Sequence, residues 1–144
     1  MANPTTITAG IQDYLKTYTP LAGGVYLDYV GDTPTEYAVV MLPELEKIEE
    51  WIVSGGIYGR HFLLNMRAAT NEDADRLINN GFYEDFAEWL YTQTLAGTLP
   101  SLPTGFVAQS IEALGNGFLM ESSEALSTAV YSINCRLVYE RTQQ

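Results

Sequence analysis

The chain has 144 residues, one domain's length, and its 47% hydrophobic content with 12% aromatics argues against a disordered chain. Lys and Arg total 7 against 18 Asp and Glu, a formal net charge of −11, which leaves no basic face for nucleic acid or for an anionic membrane. The single cysteine, Cys135, cannot form an internal disulfide. No basic segment followed by an apolar run opens the sequence, and no apolar stretch approaches the roughly 20 residues that span a bilayer. Folding in a cytoplasm is therefore expected.

Ile7, Ile11 and Leu15 recur every four residues and predict a helix over about Thr6–Tyr18, stopped by Pro20 and Gly23-Gly24. Gly24–Val30 and Glu36–Leu42 are rich in strand formers, and Gly31-Asp32-Thr33-Pro34 between them predicts a hairpin that ends at Pro43. Residues 44–53 fit either state; Trp51-Ile52-Val53 followed by Gly55-Gly56 favours a strand. In Tyr58–Ala69, Phe62, Leu64, Met66 and Ala68 alternate with His61, Asn65 and Arg67, as in a half-buried strand.

Thr70 to Asp73 matches a helix-start pattern, and Gly81 is expected to end that helix. A further helix is predicted from about Phe82 to Leu95, with Phe82, Phe86, Trp89 and Leu90 on one face. Gly97–Gly105 is a Pro/Gly loop. Phe106–Leu114 and Gly117–Met120 read as strands, and Glu121–Glu124 as a turn. In the last strand, Tyr131, Ile133, Cys135, Leu137 and Tyr139 face one way. The whole predicts a single α+β domain over residues 1–144, with a mainly antiparallel or mixed sheet and about three flanking helices.

Catalytic chemistry is hard to place. One His and one Cys exclude a Cys/His zinc site, and no EF-hand-like run is present. His61 lies mid-strand and reads as a surface histidine in a cross-strand contact. Cys135 alternates with Ile133 and Leu137 and reads as a buried thiol. The glycines of Ser54–Arg60 lack the spacing of a phosphate-binding loop. Three acidic groups, around Glu46, Asp73 and Asp85, read as solvated surface. No catalytic, cofactor or metal residue is assigned, and the chain is expected not to be an enzyme.

Four segments carry a family resemblance: residues 28–37 (Asp-Tyr-Val-Gly-Asp-Thr-Pro-Thr-Glu-Tyr), 80–89 (Asn-Gly-Phe-Tyr-Glu-Asp-Phe-Ala-Glu-Trp), 102–112 (Leu-Pro-Thr-Gly, then Ala-Gln-Ser-Ile-Glu) and 133–139 (Ile-Asn-Cys-Arg-Leu-Val-Tyr). Together, and in this order, they resemble a family of minor capsid or tail-terminator-like proteins from Firmicute phages and prophages. Some members carry the name chloramphenicol resistance protein. The acetyltransferase of that name uses a histidine followed four residues on by aspartate, whereas His61 here is followed by Asn65.

The resemblance implies a structural virion protein that caps the tail tube as a homo-oligomeric, typically hexameric, ring at the head–tail junction. It would be assembled in the host cytoplasm. The implied partners are the tail tube protein and head–tail connector proteins, with DNA passing through the hole unread. A head-completion or connector protein of the same tail gene cluster is the alternative. Loops are the expected contact surfaces: Gly31–Glu36 with Asp32, Ser54–Arg60 with Tyr58 and Arg60, and Gly97–Thr104 with Leu99 and Leu102.

Overall fold

The computed structural model describes residues 4–22, 24–28, 36–52, 55–69, 73–123 and 128–142. Its elements in chain order are α1 (Ile7–Leu15), a single 3₁₀ turn (Thr19–Leu21), β1 (Tyr26–Leu27), β2 (Glu36–Glu50), β3 (Gly56–Ala69), α2 (Asp73–Ala96), β4 (Phe106–Ala113), β5 (Phe118–Ser123) and β6 (Thr128–Arg141). Among the described residues this is an α+β domain with a mixed, mostly antiparallel six-stranded sheet and two helices rather than three.

β6 is the spine. On one side it pairs with β3 from Gly56↔Arg141 to Ala69↔Thr128 without a register shift. On the other side β4 takes its C-terminal half and β5 its N-terminal half. Between them, Leu114 N–H donates to the Asn134 carbonyl, so β4 and β5 follow one course along β6. β2 pairs antiparallel with β3, and β1 adds to β2 in parallel.

The expected hairpin between residues 24–30 and 36–42 is thus corrected to a two-residue parallel pair. The segment before β1 is tied to α1, where Gln12 Nε2 donates to the Val25 carbonyl and Val25 is buried. The predicted turn at residues 31–34 lies outside the described residues. Nor does Pro43 end its strand. It falls where the β2–β3 register shifts between Met41 and Leu45, and β1 pairs only with Ala38 and Val39. A missing N–H costs little at such an irregular edge. Likewise β5 runs on to Ser123 through the expected turn at 121–124.

The two predicted central helices are one. Gly81 lies inside α2, and Phe82, Tyr83 and Phe86 immediately after it pack into the core. That packing outweighs the roughly 1 kcal/mol that a mid-helix glycine costs. The true stop is Gly97, with φ +77. Thr98 N–H reaches back to the Gln93 carbonyl and Gly97 N–H to that of Thr94, a Schellman end. The helix-start pattern at Thr70 lies outside the described residues.

Both helices cover one face of the sheet. Ile11 and Leu15 of α1 and Phe86 and Leu90 of α2 are fully buried with Val39, Phe62, Leu64, Ile111, Ile133, Cys135 and Leu137. Tyr14, Tyr18, Phe82, Phe86 and Trp89 interleave their rings between the helices, with Tyr18 and Trp89 4.8 Å apart. Tyr14 also donates to the Thr98 carbonyl, and burial pushes its pKa up to about 12.

Tyr83 drives its hydroxyl through the core to the sheet, 2.8 Å from the Leu64 carbonyl and 2.9 Å from that of Tyr131. Gly117 lies close against this side chain; a Cβ there would fall 2.7 Å from Tyr83 Cβ. Thr94 of α2 donates to the Ile111 carbonyl and accepts from its N–H, satisfying β4.

Two substitutions test this account. A Cβ at Gly81 meets nothing within 4 Å. Gly81→Ala should therefore stabilise the domain by about 1 kcal/mol in urea unfolding, since it removes only chain entropy from the unfolded state. Tyr83→Phe should destabilise it by about 1–3 kcal/mol, because it strips the hydroxyl from two buried carbonyls. An unchanged midpoint would show that water serves them equally well.

Candidate functional site

Strand alternation decides which side chains emerge where the helices stop. On β3, Phe62 is covered, and two and four residues back Arg60 and Tyr58 project on the same side. Register then places Tyr139 and Arg141 of β6 beside them, with Leu45 and Lys47 of β2 on the other flank and Phe106 of β4 against Arg141. With Ile7 and Glu50 these residues line a cleft of about 450 Å³ near the β2–β3 turn.

Its floor is aromatic. The Tyr58 and Tyr139 rings are 6.0 Å apart, and Phe106 meets Tyr139 edge-on at 5.6 Å. Its walls are cationic. Arg141 Cζ lies 6.0 Å from the Phe106 ring centre, a cation–π contact. Burial raises the pKa of the Tyr139 hydroxyl, against the lowering influence of the Arg60 charge. Among the described residues Arg60 Nε is buried with no hydrogen-bond partner. Lys47 Nζ is 3.0 Å from Glu50. Among the described residues Arg60 and Arg141 make no ion pair, so three cations face one acid.

Three of the chain's 7 Lys and Arg thus converge on one cleft. Among the described residues that line it there is no Ser, Cys or His. The lining offers guanidinium groups suited to an anion, next to an aromatic surface.

The helix-free face carries a second charged group. Glu46 Oε1 is 3.1 Å from His61 Nε2 and 3.2 Å from Arg136 Nη1, and Arg136 Nη2 is 2.6 Å from Glu112. This is the cross-strand contact expected of His61, since His61↔Arg136 and Glu112↔Arg136 are register pairs. Beside it Asn65 and Ser132, also paired, are buried. Among the described residues Asn65 Oδ1, Ser132 Oγ and Asn134 Oδ1 have no hydrogen-bond partner. Cys135 is fully buried on the helix side, and burial pushes its thiol pKa up, which keeps it unreactive. No group of metal-ligating side chains occurs among the described residues.

Of the sequence-derived interface residues, the structure unites Tyr58 and Arg60 in the cleft, on a strand and not on a loop. Leu99 and Leu102 line a separate cleft of about 480 Å³ between residues 97 and 108. Leu102 is a core residue at 5% exposure, and a Cβ at Gly10 of α1 would strike the neighbouring Ser101 carbonyl. Asp32 lies outside the described residues. Lys47, Phe106, Tyr139 and Arg141 went unremarked as site residues in the sequence, because only sheet register joins positions so far apart. The chain matches no protein-family model, and no curated protein matches it.

The Glu46 group predicts a pH dependence. The His61 hydrogen bond, then that of Arg136, holds the Glu46 carboxyl below its ordinary value of 4.5. A depressed pKa contributes stability that is present above the unfolded value and lost as pH falls through the folded one. Glu46→Gln should therefore be less stable than the parent at neutral pH. The gap between their urea midpoints should close as pH drops below 4.5. A gap constant with pH would assign the effect to packing.

Proposed function

We propose that this chain is a structural virion protein of a long-tailed phage or prophage, not an enzyme. It closes the tail tube as a ring and joins it to the head, a tail terminator. The observation that carries the reading is a pair of unlike apolar patches at opposite ends of one sheet. Ile48, Trp51 and Ile52 are exposed at the β2–β3 turn, Ile52 completely. Phe118, Leu119 and Met120 are about half exposed on β5. The β2–β3 turn adjoins Gly56, paired with Arg141, whereas Leu119 pairs with Tyr131. Those levels are ten steps apart along β6, roughly 33 Å at strand rise.

Exposed apolar patches mark association surfaces. Two different patches on one chain favour a head-to-tail contact, which closes into a ring where the rotation permits. A self-complementary dimer needs only one. The collinear resemblance to tail-terminator-like proteins supports the same reading. So does the charge: six copies would multiply −11 sixfold, and an acidic lumen repels DNA phosphate and lets the genome slide.

Native mass spectrometry over a concentration and magnesium series, with negative-stain images, should show a closed ring with a central hole, or a monomer that forms one on purified tail tubes. A protein that stays monomeric and ignores the tubes overturns the reading; one that binds only head connectors moves it to a connector protein. Ile52→Glu and Met120→Glu should each keep the unfolding free energy within about 0.5 kcal/mol, since both side chains are exposed. Each should weaken assembly about tenfold or more.

A further inference from the structure

We infer that the cationic cleft near the β2–β3 turn receives the exposed face of α2 from a neighbouring copy of the chain. This rests on the ring reading and assigns residues to its subunit contact.

On α2, Glu84, Glu88, Tyr91 and Leu95 follow one another at steps of four, three and four, so they form a single stripe. All four are exposed, Tyr91 at 59% and Leu95 at 70%. The core side of the same helix is Tyr83, Phe86 and Leu90. The stripe therefore points away from its own sheet and cannot reach its own cleft. It is acidic at one end and apolar at the other.

The cleft offers the complement. Arg60 and Arg141 have no ion pair among the described residues, and Tyr58 and Phe106 supply an aromatic surface. The sizes agree as well. Glu84 to Leu95 spans roughly 16 Å at helical rise. The four steps along β3 from Arg60 back to Gly56, the level of Arg141, span roughly 13 Å. In a chain with 18 acids and 7 bases, unpaired arginines are the scarce component, and their position selects which acids dock. Because stripe and cleft are different surfaces, the contact is head-to-tail, as a ring requires.

Charge reversal tests the pairing. Arg60→Glu/Arg141→Glu and Glu84→Lys/Glu88→Lys should each weaken assembly about tenfold or more in native mass spectrometry, and the chain carrying all four changes should regain it. The helix variant lowers the net negative charge, so general repulsion alone would make it assemble more tightly, the opposite result. Thermal unfolding checks that each variant folds; should Arg60→Glu not fold, Lys47→Glu/Arg141→Glu replaces it. If the parent forms rings and both two-site variants form them equally well, the cleft assignment falls and the ring reading stands. If the parent forms no ring with or without tail tubes, both fall.

Discussion

Fourteen residues of β3 lie against fourteen of β6 without a register shift, and every other element takes its position from that ladder. With the register locked, a strand's two faces cannot exchange. Phe62, Leu64 and Met66 then share a side with Tyr131, Ile133, Cys135 and Leu137, and the helices have one surface on which to pack. The opposite side receives His61, Asn65 and Arg67 against Arg136, Ser132 and Val130. β2 extends the ladder on one flank, and the β4–β5 course completes it on the other.

α2 is fastened to this frame by polar contacts as well as by burial. Tyr83 reaches carbonyls on both spine strands, and Thr94 satisfies the backbone of Ile111 on β4. Burial holds the Tyr83 hydroxyl protonated far above the usual tyrosine range, so it remains a donor under all ordinary conditions. The helix is consequently fixed in rotation. Its aromatic side meets α1 and its acidic stripe faces outward, the orientation that the proposed contact between copies requires.

The charge distribution completes the picture. In a chain this acidic, four of the 7 Lys and Arg have surroundings that the sheet fixes. Arg136 bridges Glu46 and Glu112 on the helix-free face, and three others gather in the cleft beside exposed aromatic surface. In the proposed ring the cleft and the outward stripe of α2 would meet as the two halves of one electrostatic contact between copies.

Whatever depends on local period could be read from the residues alone. Alternation at residues 58–69 and 131–139 marked the two spine strands and their buried faces, four-residue recurrence marked α1, and the cross-strand place of His61 and the burial of Cys135 were legible too. Strand partners, the parallel seat of β1 and the passage of β2 through Pro43 were decided by tertiary contacts. Glycine shows the limit plainly: Gly81 and Gly97 look alike as helix stops, but only packing after Gly81 and the left-handed backbone at Gly97 tell them apart. The cleft is the extreme case. Tyr58 and Arg60 stood out in the sequence, whereas Lys47, Phe106, Tyr139 and Arg141 joined them only through the register of four strands, because pairing between distant segments is a non-local interaction that no short window of sequence contains.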